Sequence, residues 1–159
     1  MPPTQSLPLR EGPIAAGDPA PDFTLMDQDK QEWTLSERLK ERDVVLCFYP
    51  MDFSPVCETE MKCVQDDFEK FAAHNAEVVG ISTDSFFTHK AWADSLGLQQ
   101  TLLADMHRAV CRAYGFYFEP LNVSARGTVI VGKDGFVKWV QAREIGDAMA
   151  LEEVVGALV

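Results

Sequence analysis

The chain has 159 residues, 47% of them hydrophobic, which is enough for one globular domain with a buried core. The formal net charge of −11 argues against nucleic acid and anionic membranes as partners, because both bind clustered lysine and arginine. No apolar stretch approaches the roughly 20 residues that a membrane-spanning helix needs.

The N-terminal segment is rich in proline, so we expect a flexible extension over residues 1–12 and a single domain over residues 13–159. This segment lacks the basic start and the apolar block of a signal peptide, and we therefore expect a cytoplasmic protein. In a reducing compartment the four cysteines are not expected to form a structural disulfide framework. Their spacing also fits no zinc site, so catalysis, redox chemistry or core packing remain as their roles.

The predicted elements alternate between strands and helices from the N-terminus onward. A hairpin with its turn at residues 27–30 comes first, and a short helix capped by Ser36 follows it. Uninterrupted apolar runs, which are typical of buried strands, then occupy residues 44–49, 78–83 and 101–104.

Helices are expected after each of these strands, over residues 55–73, from Ser85 to Gly97 and from Asp105 to Tyr114. A turn at residues 133–135 predicts a second hairpin, and Asp147 is expected to cap a final helix. This order implies an α/β fold, a three-layer sandwich in which helices flank a central mixed β-sheet.

Cys57 lies where the strand at 44–49 meets the next helix, and its surroundings say most about function. Ser54 is a favoured N-cap, and Pro55 is a favoured first helical residue. Cys57 then falls in the first helical turn, where unpaired backbone N–H groups and the positive end of the helix dipole favour thiolate over thiol. Since the thiolate is the nucleophilic form, the pattern predicts a reactive cysteine.

The motif Pro50-x-x-x-Ser54-x-x-Cys57, with Arg126 opening a later Arg-Gly-Thr-Val-Ile-Val-Gly-Lys-Asp-Gly segment, resembles the peroxiredoxins. These are thiol peroxidases of the alkyl hydroperoxide reductase/thiol-specific antioxidant type, and the chain resembles their bacterioferritin comigratory protein-like or one-cysteine members. The segment 17–23 is also similar to the family. The resemblance implies a thioredoxin-like fold.

The same resemblance implies a role for each matching residue. Cys57 is the peroxidatic cysteine, which reduces hydrogen peroxide or an organic hydroperoxide and becomes a sulfenic acid. Ser54 stands where the family usually has a threonine that hydrogen-bonds the peroxide, and Pro50 shields Cys57 from water. Arg126 holds the thiolate and the peroxide oxygens, and Glu60 orients an arginine.

The partners implied by the resemblance are a hydroperoxide and a thioredoxin-like or other small thiol reductant. None of the groups named for the chemistry requires a metal or an organic cofactor. The sequence leaves open whether the protein is a monomer or a homodimer. Phe53, Phe86 and Phe87 are expected to be mostly core, with part of this aromatic set lining a collar at the site or a dimer contact.

A second thiol must reduce the sulfenic acid, and its identity stays open. Cys63 is expected to be exposed, but it follows Cys57 by six residues, about 9 Å along a helix. A disulfide needs Cα atoms within roughly 7 Å, so the helix would have to unwind. Family members that resolve in this way have one residue fewer between the two cysteines. Cys111 is a weaker candidate, with helix packing as its default role, and an external thiol is the remaining route.

A non-enzymatic redox sensor or holdase that is oxidised at Cys57 is the alternative function. A thioredoxin-like disulfide exchanger is disfavoured because the chain has no Cys-x-x-Cys pair. Cys47, within an apolar strand, is expected to fill the core. His74 and His89 lie on polar stretches and are expected to be solvated.

Overall fold

In the computed structural model the described residues are 7, 10–66, 68–143 and 151–158, and among them the side chains of Glu60, Cys63, Phe68, Leu151 and Glu152 lie outside the description. The strands are β1 (Thr24–Asp27), β2 (Glu32–Thr34), β3 (Asp43–Phe48), β4 (Ala76–Ser82), β5 (Thr101–Ala104), β6 (Tyr117–Phe118), β7 (Val123–Ser124), β8 (Arg126–Val131) and β9 (Val137–Arg143). The helices are α1 (Leu35–Leu39), α2 (Pro55–Asp66), α3 (Phe68–Ala73), α4 (Phe86–Leu96), α5 (Ala109–Ala113) and α6 (Leu151–Ala157), with a 3₁₀ turn at Glu119–Leu121.

Seven strands form one mixed sheet in the order β2-β1-β5-β4-β3-β8-β9. The central strands β3, β4 and β5 run parallel; β1 pairs antiparallel with β5 and β8 with β3, and the edge strands β2 and β9 pair antiparallel with β1 and β8. Parallel neighbours need crossover connections, which α2 with α3 and then α4 supply. The predicted α/β fold with a central mixed sheet is confirmed.

The sheet separates two hydrophobic cores, as the alternation of side chains along β3 shows. Leu46 and Phe48 face the core that contains residues of α1 and α5. Cys47 and Tyr49 face the opposite core, which contains residues of α2, α3, α4 and α6. Helices therefore cover both faces of the sheet, as the three-layer prediction requires.

Several predicted helix ends are confirmed by their hydrogen bonds. The Ser85 hydroxyl accepts a 3.2 Å hydrogen bond from the N–H of Thr88 and caps α4, which ends at the left-handed Gly97. The predicted Asp105 cap was wrong in position, because α5 begins at Ala109 with Arg108 as its N-cap, although the Asp105 carboxylate accepts the N–H groups of Val110 and Cys111.

The predicted Ser36 cap was wrong. Helix α1 begins at Leu35 with Thr34 as its N-cap, two residues earlier than a Ser36 cap would place it, and the Ser36 N–H donates to the carboxylate of Asp22 at 2.9 Å. That acceptor comes from a distant part of the chain, so local sequence could not indicate it. The helix predicted over 55–73 appears as α2 and α3, with residue 67 between them outside the described residues. The Asp147 cap also lies outside them.

The proposed extension over residues 1–12 falls largely outside the described residues. Of the part that is described, Leu7 packs against the first core. The Arg10 N–H donates to the carbonyl of Arg112 at 3.2 Å. The division into an extension and a domain over 13–159 stays a prediction.

Within the described ranges, no helix combines the length and the apolar character that crossing a bilayer requires.

Gly127 is a position where the fold leaves no room for a side chain. It pairs with Phe48 across β3 and β8, and a methyl group there would overlap the ring of the buried Phe116. We expect Gly127→Ala to lower the free energy of unfolding by about 1–3 kcal/mol, the usual range for overpacking. Gly156→Ala, where a methyl group meets open space on α6, should instead stabilise slightly through helix propensity. Urea denaturation of both variants tests this, and an unchanged Gly127→Ala protein would contradict it.

Candidate active site

Cys57 lies at the carboxyl end of the central strand β3, in the first turn of α2. The chain leaves β3 at Phe48, passes through residues 49–54 and enters α2 at Pro55, as the sequence predicted. The Ser54 carbonyl accepts the first helical hydrogen bond, from the N–H of Glu58 at 2.9 Å. The first-turn N–H groups and the positive end of the helix dipole therefore lie beside the sulfur.

Arg126 contacts the Cys57 sulfur directly. Its Nη2 donates to Sγ at 2.9 Å, and the exposed fractions of the two residues are 2% for Arg126 and 0% for Cys57. Pairing of Gly127 with Phe48 puts the first residue of β8 beside the last residue of β3. The sheet register thus brings together residues that are 69 positions apart. The contact places a buried guanidinium directly against this sulfur.

Ser54 does not cap α2 with its side chain, contrary to the expectation. Its Oγ is buried and has no hydrogen-bond partner among the described residues. A buried hydroxyl without a partner costs about 1–3 kcal/mol, so a folded protein rarely keeps one without a reason. The hydroxyl is therefore available to a bound molecule.

The loop before α2 is strained and partly exposed. Pro50 is buried, and Met51 is exposed. Phe53 adopts a φ of 67°, a region that bulky residues rarely occupy, and is 54% exposed. Its ring lies 6.3 Å from that of the buried Trp92. The predicted core role of Phe53 was wrong, and Phe87 is also exposed, whereas Phe86 is partly buried.

A buried hydrogen-bond network holds the loop between β3 and α2 in place. Asp52 accepts from the hydroxyl of Tyr49 at 2.6 Å, and its other oxygen lies 2.6 Å from Nδ1 of His89. The opposite ring nitrogen of His89 is 3.1 Å from the carbonyl oxygen of Leu103. Burial, and then the charge of Asp52, raise the pKa of Tyr49 well above its ordinary value, so the phenol keeps its proton and donates.

Asp84 extends this network to the loop backbone. One of its oxygens accepts both the N–H of Asp52 at 2.8 Å and the hydroxyl of Ser82 at 2.6 Å. The ligand atoms of Asp52, Asp84 and His89 lie within 4.8 Å of one another, a spacing that a metal ion could bridge. Each of these atoms already has a hydrogen-bond partner, so hydrogen bonding alone explains the cluster.

The expectation that His89 is solvated was wrong, because the residue is fully buried, whereas His74 is exposed as expected. His89 lies on α4 three and four residues before the buried Trp92 and Ala93. That helical spacing was the signal in the sequence that could have indicated its burial.

The other cysteines occupy different environments. Cys47 is buried in β3, as expected. Cys111 is buried in the core on the opposite face of the sheet from Cys57. Burial, and then the nearby Asp105 carboxylate, raise the pKa of the Cys111 thiol. Cys63 lies in α2, but its side chain, like that of Glu60, falls outside the description.

Comparisons with known proteins give consistent results. The model of the AhpC/TSA family matches residues 16–140. Alkyl hydroperoxide reductase E of Mycobacterium tuberculosis is 34% identical over 136 residues, which cover 84% of this chain and 89% of that protein. The chloroplastic 2-Cys peroxiredoxin BAS1 of Hordeum vulgare is 31% identical over 152 residues, 89% of this chain and 72% of that protein.

Solved structures show the same likeness. Reduced 2-Cys peroxiredoxin of Plasmodium vivax superposes with a TM-score of 0.85 at 27% identity, covering 92% of this chain and 81% of that one. Peroxidoxin BcpB of Mycobacterium tuberculosis superposes with a TM-score of 0.83 at 28% identity, covering 91% of this chain and 96% of that one.

The buried Asp52 carboxylate should be important for stability. In Asp52→Asn, an amide N–H₂ would face one of the donors, Tyr49 or His89, so we expect the free energy of unfolding to fall by about 1–3 kcal/mol. Asp94→Asn removes a carboxylate that pairs with Lys90 at the surface and should leave stability unchanged. Urea denaturation followed by circular dichroism measures both variants, and equal stability of the two would contradict a structural role for the network.

Proposed function

Because the chain belongs to the AhpC/TSA family and is a thiol-dependent peroxidase, we propose that Cys57 is the residue that attacks the peroxide. The observation that carries this assignment is the buried contact of 2.9 Å between the Arg126 guanidinium and the Cys57 sulfur. Among the three cysteines with described side chains, only Cys57 combines such a contact with the start of a helix. It is the sulfur whose surroundings favour the thiolate.

The proposed reaction follows from the donors around this sulfur. The Cys57 thiolate attacks one peroxide oxygen, the O–O bond breaks, and an S–O bond forms, so that Cys57 becomes a sulfenic acid. The departing oxygen leaves with the electron pair of the broken bond and takes up a proton to become water or an alcohol. Arg126 and the free Ser54 hydroxyl supply hydrogen-bond donors where this negative charge develops.

Pro50 and Glu60 complete the proposed site. Pro50 lies in the loop that connects β3 to α2 and is buried, which supports a role in excluding water from the sulfur. Glu60 lies one helical turn beyond Cys57, on the same side of α2. We assign to Glu60 the role of orienting an arginine. The proposed chemistry uses only side chains and backbone groups.

A thiol must then reduce the sulfenic acid, and we propose Cys63 as the resolving cysteine, with an external thiol as the other route. Cys63 lies on the same helix as Cys57, six residues further on. Cys111 is the weaker candidate, because the sheet lies between it and Cys57 and its thiol pKa is raised. A thioredoxin-like protein or a small thiol would complete the cycle.

We propose the cytoplasm as the compartment. Cys57 and Cys111 form no disulfide with a described residue, which fits a reducing environment, and the cycle needs a thiol reductant there. The state is a monomer or a homodimer, and the exposed rings of Phe53 and Phe87 offer apolar surface for a homodimer contact.

Removing the guanidinium should slow the oxidation of Cys57 strongly. We expect Arg126→Gln to lower the second-order rate constant with hydrogen peroxide by a factor on the order of 10² to 10³, the usual effect of losing a donor to a developing oxyanion. Stopped-flow competition with a second peroxidase measures this constant. Lys138→Gln is the matched control, because it removes one positive charge at the far end of the same sheet, where Lys138 pairs with Asp43 at 2.7 Å. Similar losses in both variants would indicate a general charge effect and contradict the assignment.

Intact mass spectrometry after one equivalent of peroxide distinguishes the cysteines. We expect Cys57→Ser to remain unmodified, because the nucleophile is gone. In Cys63→Ser the mass should increase by one oxygen atom, since the sulfenic acid forms but no internal disulfide follows. The unmodified sequence should lose the mass of two hydrogen atoms. Oxidation of the Cys57→Ser protein at the normal rate would disprove the role of Cys57.

A further inference from the structure

We propose that Gln100 is a positioning residue for the second half of the catalytic cycle, because it holds α2 folded over the sheet and so limits the rate at which oxidised Cys57 becomes accessible to a thiol. This inference rests on the proposed function, in that it takes Cys57 as the sulfur that is oxidised and later reduced.

The geometry of the closed site makes an opening step necessary. Cys57 is 0% exposed and its sulfur is covered by Arg126, so a reducing thiol cannot reach it in this conformation. Cys63 cannot reach it either while α2 is intact, since six residues of helix separate their Cα atoms by about 9 Å. Whichever thiol resolves Cys57, residues at the start of α2 have to leave their helical positions first.

Gln100 holds α2 between the two cysteines. Gln100 lies in the loop before β5, and its exposed fraction is only 1%. Its Nε2 donates to the carbonyl oxygen of Met61 at 3.1 Å. This bond is formed across 39 positions of sequence, so it is a tertiary contact on the helix backbone. The Oε1 atom of Gln100 has no hydrogen-bond partner among the described residues, which is a cost that the fold accepts at this position.

Two further contacts hold the same stretch of α2. The buried Met61 side chain packs over Gly80, where a Cβ atom would lie 3.5 Å from the methionine sulfur. One helical turn later, Oε1 of Gln65 accepts the N–H of Gln99 at 2.7 Å. The loop at residues 99–100 therefore forms hydrogen bonds with α2 at positions 61 and 65, on both sides of Cys63. The turn that contains Cys57 is left as the part of α2 that can open.

The chemistry of resolution then depends on how often this turn opens. In the open state a thiol sulfur attacks the Cys57 sulfenic acid, an S–S bond forms and the S–O bond breaks. The oxygen leaves as water with the proton of the thiol, so the sulfenic sulfur is reduced and the thiol is oxidised. In the closed state the sulfenic sulfur instead attacks a second hydroperoxide: the O–O bond breaks, a second S–O bond forms to give a sulfinic acid, and the other oxygen leaves as water or an alcohol. Stronger hydrogen bonding between the loop at residues 99–100 and α2 therefore favours the sulfinic acid, and weaker hydrogen bonding favours the disulfide.

The test compares two glutamines of the same neighbourhood. Gln100→Met keeps a similar side-chain volume but removes the donor to Met61. The control is Gln28→Met, because Gln28 bonds the carbonyl of Gln100 at 3.2 Å and the N–H of Leu102 at 2.9 Å but does not contact the α2 backbone in any described hydrogen bond. Loss of one hydrogen bond should increase the open population by on the order of threefold to tenfold in Gln100→Met only. A milder variant, Gln65→Ala, should give a smaller increase.

Hydrogen exchange of the reduced protein measures this population without any peroxide. We expect the backbone amides of residues 58–62 to exchange severalfold faster in Gln100→Met than in Gln28→Met or the unmodified sequence. In the oxidised protein, the fraction of Cys57 found as sulfinic acid under excess peroxide should fall by a similar factor, as seen by the mass of two added oxygen atoms.

The outcomes separate the two proposals. Equal amide exchange in Gln100→Met and the unmodified sequence would contradict the role of Gln100 in restraining α2. Equally faster amide exchange in Gln100→Met and Gln28→Met would also contradict it, because general destabilisation would then explain the effect. Faster exchange with an unchanged sulfinic fraction would also overturn it, because opening would then not limit resolution. Absence of any Cys57 oxidation would instead disprove the proposed function, while the exchange experiment would still report on Gln100.

Discussion

The contact between the Arg126 guanidinium and the Cys57 sulfur is the interaction on which the rest of the site depends. It requires that β8 be antiparallel to β3 in one register, since a shift by one residue would turn Arg126 to the other face of the sheet. It also requires α2 to start at Pro55, so that Cys57 lies in its first turn. The central part of the sheet and the first turn of one helix therefore act together to place the Arg126 guanidinium against a buried sulfur. Burial strengthens the attraction between the two groups, because charges interact more strongly away from solvent.

The loop that connects β3 to α2 has to keep a strained shape for this contact to form. The positive φ of Phe53 is unfavourable for an aromatic residue, and the network below the loop compensates for it. Asp52 supplies two carboxylate oxygens to Tyr49 and His89, while its own N–H is held by Asp84. Because every member of this group has a partner, the network can be buried without the penalty of unsatisfied polar atoms. The Ser54 hydroxyl, by contrast, is left without a partner close to the sulfur, as a binding group for an oxygen of the substrate would be.

A site that is closed around its sulfur favours the first chemical step and opposes the second. A hydroperoxide needs a smaller opening than a protein or peptide thiol, so a reducing thiol requires the larger movement of α2 to reach the buried sulfur. The hydrogen bonds from the loop at residues 99–100 to Met61 and Gln65 act on this movement, since they fix the helix on either side of Cys63. Helical stability in proteins comes mainly from such tertiary contacts and not from propensity, so a few of them can set how readily one turn opens.

The sequence by itself determined the order of strands and helices, the start of α2 at Pro55, and the chemical character of Cys57, because apolar periodicity, turn residues and caps act over a few neighbouring residues. It also indicated Arg126, but only through a family resemblance, since no local rule connects positions 69 residues apart. The two-residue strands β6 and β7 were missed because such short segments carry no periodicity. Only the tertiary structure decided the exposure of Phe53, the free Ser54 hydroxyl and the contact of Gln100 with α2. The reason is that each of these depends on which distant backbone or side chain fills the remaining space or supplies the missing donor, and that is decided when helices and sheet pack together.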